Sequence, residues 1–218
     1  MTVRVKICGL TRERDLETAV EAGADAIGVI ADVPVETPRE VPVDRAADLL
    51  ASAPPFVTTV LVTMADGGER IEELVETVEP DVLQFHGDGD ADELGDLCAR
   101  IDSDLLFAVG ADDASSLSRY DGVVDAFLVD TPAVDGGGGT GRTHDWERTG
   151  AASADLDSPV VLAGGLTPEN VESAIDAADP FGVDVASGVE ADGGIKDGDA
   201  VRSFVARAKR HHRTEVTT

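Results

Sequence analysis

The sequence of 218 residues predicts an α/β fold, a single (β/α)8 TIM barrel. Two observations lead to this prediction. Eight apolar runs of strand length recur along the chain, and stretches with helix signals separate them. Polar residues suited to chemistry follow the carboxyl ends of several of these runs, where such barrels carry their active sites. Eight alternations favour a closed barrel over an open doubly wound sheet, which more often has fewer strands.

The predicted strands are short and rich in Val, Ile, Leu and Phe, as expected of buried parallel strands. We expect residues 1–210 to form one barrel domain and residues 211–218 to form a C-terminal tail. In chain order the strands are VRVKI at 3–7, DAIGVI at 25–30, FVTTVLV at 56–62, DVLQF at 81–85, DLLFAV at 104–109, VVDAFLV at 123–129, PVVLA at 159–163 and FGVDVA at 181–186.

Capping residues predict where two of the helices begin or end. Thr11 is the expected N-cap of the first helix and Gly23 its stop, and Pro168 is the expected first residue of the helix that follows the seventh strand. The helix signals are weakest near 43–51, 113–119 and 144–150. The DGGGG segment at 135–139 predicts a loop.

The alternation of side chains along a strand predicts which residues point into the barrel. Val5 and Ile7 should face the helices, whereas Lys6 and Cys8 should point inward. Asp184 should point inward from the eighth strand, which neighbours the first in a closed barrel. Because a buried charge needs a partner, Lys6 and Asp184 are expected to form an ion pair.

Groups suited to proton transfer and binding follow the first, fourth and sixth strands. Cys8 follows the first strand, Gln84 and His86 close the fourth, and Asp130 ends the sixth. A strand-end cysteine is by default a small buried apolar residue, so Cys8 by itself is weak evidence of catalysis. Asp130 is stronger evidence of a functional role, because burying an unpaired acid costs free energy of folding.

Two glycine-containing turns, after the seventh and eighth strands, predict a phosphate site. Barrels commonly bind phosphate there through backbone N–H groups and a short helix N-terminus. Glycine allows the backbone to approach the anion closely, although a single glycine pair would indicate only a tight turn. The candidate residues are Gly164, Gly165, Ser187 and Gly188.

Composition restricts the partners of the chain. A net charge of −27 makes nucleic acid a poor partner, and an acidic, lysine-poor surface is typical of proteins that work in molar salt. No apolar run is long enough to span a membrane, and the first residues do not resemble a secretory signal, so we expect a cytoplasmic protein. Cys8 and Cys98 lack the spacing of a zinc site or a disulfide framework, and no metal is expected.

Six segments together resemble the phosphoribosylanthranilate isomerase family of tryptophan biosynthesis. The resemblance runs in order from the first strand to the eighth helix, over nearly the whole chain. The segments are KICGLT at 6–11, LQFHG at 83–87, LVDTP at 128–132, GGTGRTHDW at 138–146, LAGGLTPENV at 162–171 and GVDVASGVE at 182–190.

The resemblance implies an Amadori rearrangement of a phosphosugar, N-(5-phosphoribosyl)anthranilate, without a cofactor or metal. It assigns Asp130 as the general acid that opens the furanose ring and Cys8 as the general base that removes the C2 proton. Arg39 would bind the anthranilate carboxylate, and Asp184 would lie near the substrate amine besides any pairing with Lys6. Gln84 and His86 are interpreted as substrate-binding residues, although His86 could equally be a polar cap on its strand.

Other functions remain open at this point. A Schiff-base aldolase or indole-glycerol-phosphate synthase needs a catalytic lysine at the rim, and Lys6, Lys196 and Lys209 do not end strands there. A non-catalytic barrel that binds a phosphosugar or flavin phosphate is a second alternative. The sequence does not decide between a monomer and a homodimer, or exclude the histidine-pathway aminoaldose as a second substrate.

Overall fold

The computed structural model describes residues 2–87, 89–130 and 145–210, and in it eight parallel strands close into a barrel in sequence order. The predicted fold class is therefore confirmed. The predicted loop at 135–139 and the predicted tail at 211–218 lie outside the described residues. The strands are β1 (Arg4–Ile7), β2 (Ala26–Ile30), β3 (Thr58–Thr63), β4 (Val82–His86), β5 (Asp104–Gly110), β6 (Ala126–Asp130), β7 (Val160–Leu162) and β8 (Gly182–Val185).

Helices alternate with the strands on the outside of the barrel. A 3₁₀ helix at Ala111–Arg119 stands where the weak signal near 113–119 predicted a helix. The α-helices are α1 (Glu13–Ala22), α2 (Val43–Ala51), α3 (Gly68–Val78), α4 (Ala91–Cys98), α5 (Trp146–Ser153), α6 (Val171–Ala178) and α7 (Gly198–Arg210). No described helix is both long and apolar enough to cross a membrane.

A small antiparallel hairpin follows β8 and was not predicted from the sequence. A single 3₁₀ turn at Ser187–Val189 leads into β9 (Glu190–Asp192), which pairs with β10 (Ile195–Lys196). Gly194 in the connecting turn has a φ of 72°, a conformation that favours glycine. The hairpin brings Glu190 and Lys196 close to the rim of the barrel.

The core has an outer and an inner part, as the alternation predicted. Val5 and Ile7 belong to the large core between the barrel and the helices. Cys8 belongs instead to a small apolar cluster with Val60 and Val62 inside the barrel. The barrel closes where β1 pairs with β8, and this register sets Lys6 opposite Asp184.

Two of the predicted helix starts are wrong. Helix α1 begins at Glu13 with Arg12 as its N-cap, because the Thr11 hydroxyl donates instead to the Gly194 carbonyl oxygen at 2.7 Å. Helix α6 begins at Val171 rather than Pro168, because residues 168–170 form a turn in which the Asn170 N–H donates to the Thr167 carbonyl oxygen at 3.2 Å. The predicted stop at Gly23 is confirmed, with a left-handed φ of 91°.

The Asp25 carboxylate joins three elements at the amino end of the barrel. It accepts hydrogen bonds from the Val5 N–H at 2.8 Å, from Lys209 of α7 at 2.6 Å and from Arg4 at 3.1 Å. Burial alone would raise the pKa of Asp25, but these donors hold it below its usual value. The interaction fixes α7 against the first strand at the face opposite the rim.

We expect Asp25→Asn to lower the free energy of unfolding by about 1–3 kcal/mol near neutral pH, because an amide accepts these bonds less strongly than a carboxylate. Since the folded-state pKa is depressed, the contribution is present above the unfolded pKa and is lost as the pH falls through the folded pKa. Urea unfolding of both proteins at several pH values in molar KCl measures the difference. If the difference in free energy of unfolding between the two proteins stays constant down to a pH of about 3, the ionic interpretation is contradicted.

Candidate active site

All ten residues predicted for catalysis and binding line one cavity of about 330 Å³ at the carboxyl ends of the strands. They come from different parts of the chain, and the closed barrel brings them together. These residues are Cys8, Arg39, Gln84, His86, Asp130, Gly164, Gly165, Asp184, Ser187 and Gly188.

A buried polar cluster lies beneath the cavity. The Lys6 ammonium donates to Asp184 Oδ1 at 3.0 Å and to Gln84 Oε1 at 2.8 Å. The Lys6 and Asp184 side chains are 6% and 9% exposed, so the predicted ion pair is confirmed and is almost dry. Burial alone would lower the pKa of Lys6, but the charges and hydrogen bonds of Asp184 and Cys8 together outweigh burial and raise the pKa above its usual value.

Gly28 leaves room for the cysteine. A Cβ at this position would lie 2.9 Å from Cys8 Sγ and 3.3 Å from Lys6 Nζ, which is tighter than side chains normally pack. Any larger residue would therefore displace the sulfur or the ammonium group. The sequence offered no signal for this role beyond a glycine in the second strand.

Burial and the neighbouring charges set the protonation of the thiol and the imidazole. Burial raises the pKa of Cys8 above its usual value, and the Lys6 ammonium offsets part of this effect. Burial and the same ammonium lower the pKa of His86. At neutral pH the resting site therefore holds a thiol and a neutral imidazole.

The two glycine turns predicted to bind phosphate pack against each other. Gly164 and Gly165 both have left-handed φ values, 84° and 64°, which explains why glycine is needed there. Asn170 stabilises this turn by donating to the Gly165 carbonyl oxygen at 2.9 Å. A Cβ at Gly188 would overlap the carbonyl oxygen of Leu166, so the second turn also requires glycine.

Arg39 enters the cavity from the loop after β2, where the sequence predicted it. Its guanidinium group makes a bidentate ion pair with Glu190 of the hairpin. Burial alone would raise the pKa of Glu190, but Arg39 and Lys196 hold it below its usual value. Glu190 and Lys196 were missed as functional candidates, because their roles depend on a hairpin that has no strong sequence signal.

An apolar wall completes the cavity beside Arg39. This wall was not predicted from the sequence, although the alternating apolar residues of the 31–42 loop were a possible signal for it. The wall consists of Ile30, Val33, Val35, Val62 and Met64. Among the described residues, no group of three or more His, Cys, Asp or Glu side chains could hold a metal ion.

A protein-family model described as N-(5'phosphoribosyl)anthranilate (PRA) isomerase matches residues 5–207. The chain belongs to this family. It is accordingly an isomerase. A relative from Halobacterium salinarum, named N-(5'-phosphoribosyl)anthranilate isomerase, is 58% identical over 208 residues, which cover 94% of this chain and 95% of the relative. Another from Natronomonas pharaonis is 56% identical over 94% of this chain and 97% of the relative. Both are halophilic archaea, in agreement with the acidic composition.

Solved structures of the family match this isomerase closely. Phosphoribosyl anthranilate isomerase from Thermotoga maritima superposes with a TM-score of 0.85 at 36% identity, over 95% of this chain and 99% of that chain. A phosphoribosyl anthranilate isomerase solved with reduced 1-(o-carboxyphenylamino)-1-deoxyribulose 5-phosphate superposes with a TM-score of 0.82 at 34% identity, with the same coverage.

We expect Lys6→Met to lower the free energy of unfolding of this isomerase by about 3–5 kcal/mol, because it leaves the buried Asp184 carboxylate without its cation. Urea unfolding in molar KCl measures the loss. Lys209→Met is the matched control, since it removes an ammonium group from a more exposed pair and should cost less than about 1 kcal/mol. Equal losses in the two variants would show that burial of the Lys6 pair has no special importance.

Proposed function

We propose that the chain converts N-(5-phosphoribosyl)anthranilate into 1-(2-carboxyphenylamino)-1-deoxyribulose 5-phosphate by an Amadori rearrangement, as a step of tryptophan biosynthesis. The observation that carries this proposal is the single cavity lined by the predicted acid, base, carboxylate-binding arginine and phosphate-binding turns. A family member that binds a reduced form of the product supports the same substrate class.

The cavity offers a distinct surface to each part of this substrate. The glycine turns after β7 and β8 bind the phosphate through backbone N–H groups. Arg39 binds the anthranilate carboxylate with its planar guanidinium group. The apolar wall beside Arg39 packs against the aromatic ring, so the ribose portion lies between Cys8 and Asp130.

Asp130 acts first, as a general acid. It ends β6, lines the cavity and is half-buried. Its carboxyl proton goes to the furanose ring oxygen, the bond between that oxygen and C1 breaks, and the nitrogen lone pair forms an iminium ion with C1. A carboxyl group has a proton to donate at neutral pH only in a shielded pocket, and the bound substrate provides this shielding by excluding water from the cavity.

Cys8 acts second, as a general base. The iminium ion acidifies C2, the Cys8 thiolate removes the C2 proton, and the resulting enolamine tautomerises to the ketone. Burial favours the thiol in the resting site, and the Lys6 ammonium favours the thiolate. A thiol with a raised pKa forms little thiolate at neutral pH, but that thiolate is a stronger base than the thiolate of an ordinary cysteine.

The remaining polar groups position the substrate. Asp184 is fixed by Lys6 and presents its carboxylate to the substrate amine. Gln84 is oriented by the same ammonium group, and the neutral imidazole of His86 offers one donor and one acceptor to the sugar hydroxyls. The enzyme works in the cytoplasm of a halophile, without a cofactor, as a monomer or a homodimer.

We expect Cys8→Ser and Asp130→Asn each to lower kcat by at least about 10³-fold, because each removes a proton-transfer group. The assay follows the loss of anthranilate-type fluorescence when freshly generated phosphoribosylanthranilate is added in molar KCl. Both variants should still bind the reduced product analogue with a Kd within about threefold of wild type, since the binding groups remain.

Cys98→Ser is the matched control for the first variant, because Cys98 is a half-buried thiol at the end of α4, outside the cavity. It should keep the activity of the wild type. A wild-type protein that binds the analogue but shows no turnover at any salt concentration would identify a non-catalytic binding barrel instead.

The raised pKa of Cys8 predicts how the reactivity of its thiol depends on pH. Between pH 7 and 9 the thiolate fraction should rise by about tenfold per pH unit, and the rate of alkylation of Cys8 by iodoacetamide should rise with it. Alkylation of the Cys98→Ser variant, followed by mass spectrometry across this range, tests the prediction on Cys8 alone. An alkylation rate that is constant from pH 7 to 9 would contradict a protonated thiol in the resting site.

A further inference from the structure

The Glu190 carboxylate lies at the centre of an ion-pair cluster that the reaction steps do not use. It accepts from Arg39 Nε at 2.9 Å, from Arg39 Nη2 at 2.8 Å and from Lys196 Nζ at 2.8 Å. The Glu190 and Lys196 side chains are 5% and 0% exposed, and that of Arg39 is 13% exposed. Such a dry cluster restrains its members far more than a surface ion pair does.

The bidentate pair fixes the orientation of the Arg39 guanidinium group. Glu190 occupies the edge formed by Nε and Nη2, so the plane of the group is set by two parallel bonds. Arg39 also lines the cavity. A ligand carboxylate in the cavity would meet a guanidinium group that is already oriented.

The charges of the cluster also favour an anion. Arg39 and Lys196 place two cationic side chains around the one carboxylate of Glu190, within a chain of net charge −27. Because the cluster is nearly dry, molar salt screens it less than it screens the acidic surface. The region of the cavity beside Arg39 is therefore locally attractive to a carboxylate.

Lys196 connects this cluster to the glycine turn after β8. Its ammonium group also donates to the Ala186 carbonyl oxygen at 3.0 Å, directly before Ser187 and Gly188. Its backbone N–H donates to the buried Asp15 carboxylate of α1 at 3.1 Å. Lys196 is thus held by α1 and in turn holds Glu190 at a fixed distance from that turn.

The tip of the hairpin packs against the loop that carries Arg39. A Cβ at Gly194 would overlap the carbonyl oxygen of Pro38, and a Cβ at Gly193 would lie 2.7 Å from Pro38 Cγ. On the other side, a Cβ at Gly9 would lie 2.8 Å from Arg39 Cδ. The arginine side chain therefore passes through a narrow space between the hairpin and the turn after β1.

We propose that Glu190 is a positioning residue that orients Arg39 toward the carboxylate on the aromatic ring of the substrate, and that Lys196 holds Glu190 in place. The hairpin thereby determines selectivity for a carboxylated aromatic amine. This inference rests on the proposed function, in which Arg39 binds that carboxylate.

Two ligands test the proposal by calorimetric titration in molar KCl. One is reduced 1-(o-carboxyphenylamino)-1-deoxyribulose 5-phosphate, and the other is the same compound made from aniline, which lacks the carboxylate. Glu190→Gln keeps the size of the side chain but removes its charge. It should raise the Kd of the carboxylated ligand by about tenfold and that of the aniline ligand by less than about twofold. In turnover, KM should rise similarly while kcat stays within about threefold of wild type.

A double-mutant cycle with Arg39→Ala separates positioning from a general structural effect. If Glu190 acts through Arg39, Glu190→Gln should change the Kd of the carboxylated ligand by less than about twofold in the Arg39→Ala background. Asp25→Asn is the matched control, because it weakens an ion-pair cluster at the opposite end of the barrel and should leave both Kd values unchanged.

The proposal is overturned if Glu190→Gln weakens both ligands equally, if it weakens neither, or if its full effect persists without Arg39. Glu190→Asp, which retracts the carboxylate by one methylene, gives the same comparison should Glu190→Gln not fold. Failure of both variants to fold would make the residue structural and would also overturn the proposal. A wild-type protein without turnover would instead refute the proposed function, whereas an active wild type sensitive to Arg39→Ala but not to Glu190→Gln would refute only this inference.

Discussion

The register between the first and last strands is the constraint on which the site depends. When β1 pairs with β8, Lys6 lies opposite Asp184, and the ammonium and carboxylate groups meet inside the barrel at 3.0 Å. A shift of one residue would turn Lys6 toward the helices and leave Asp184 buried without a cation. The same register places Cys8 one step beyond the ion pair, at the level of the cavity. The pairing of β1 with β8 therefore both closes the barrel and places the Cys8 thiol at the cavity.

In the part of the chain that the structure describes, few positive charges lie near the cavity, and the fold keeps them buried. The chain has 17 Lys and Arg residues against 44 Asp and Glu residues, so the long-range potential opposes an anionic substrate. Lys6, Lys196 and Arg39 compensate locally, each at an ion pair with little exposure. Molar salt reduces the Debye length to about 3 Å, which screens the acidic surface while affecting these dry pairs much less. Molar salt therefore weakens the long-range repulsion of an anionic substrate more than it weakens the local attraction near the cavity.

The strands and the rim positions were predictable from the sequence because both follow from short-range patterns. Apolar runs located all eight strands, and alternation along β1 and β8 was enough to predict the Lys6–Asp184 pair. The start of α1 was not predictable, because Thr11 bonds to Gly194, 183 residues away, and not to its own helix. Glu190 and Gly28 were missed for a similar reason. Their importance lies in what approaches them in space, and nothing in the neighbouring sequence indicates it.

The chain has few lysines, and they differ in how accessible they are to amine-directed reagents. The Lys6 and Lys196 side chains are 6% and 0% exposed, whereas that of Lys209, at the end of α7, is 30% exposed. Lys209 contacts Asp25, at the face of the barrel opposite the cavity. An amine-directed linker would therefore react at Lys209 in preference to the other two lysines. Protein attached to a support through this residue would be oriented with its cavity facing the solution.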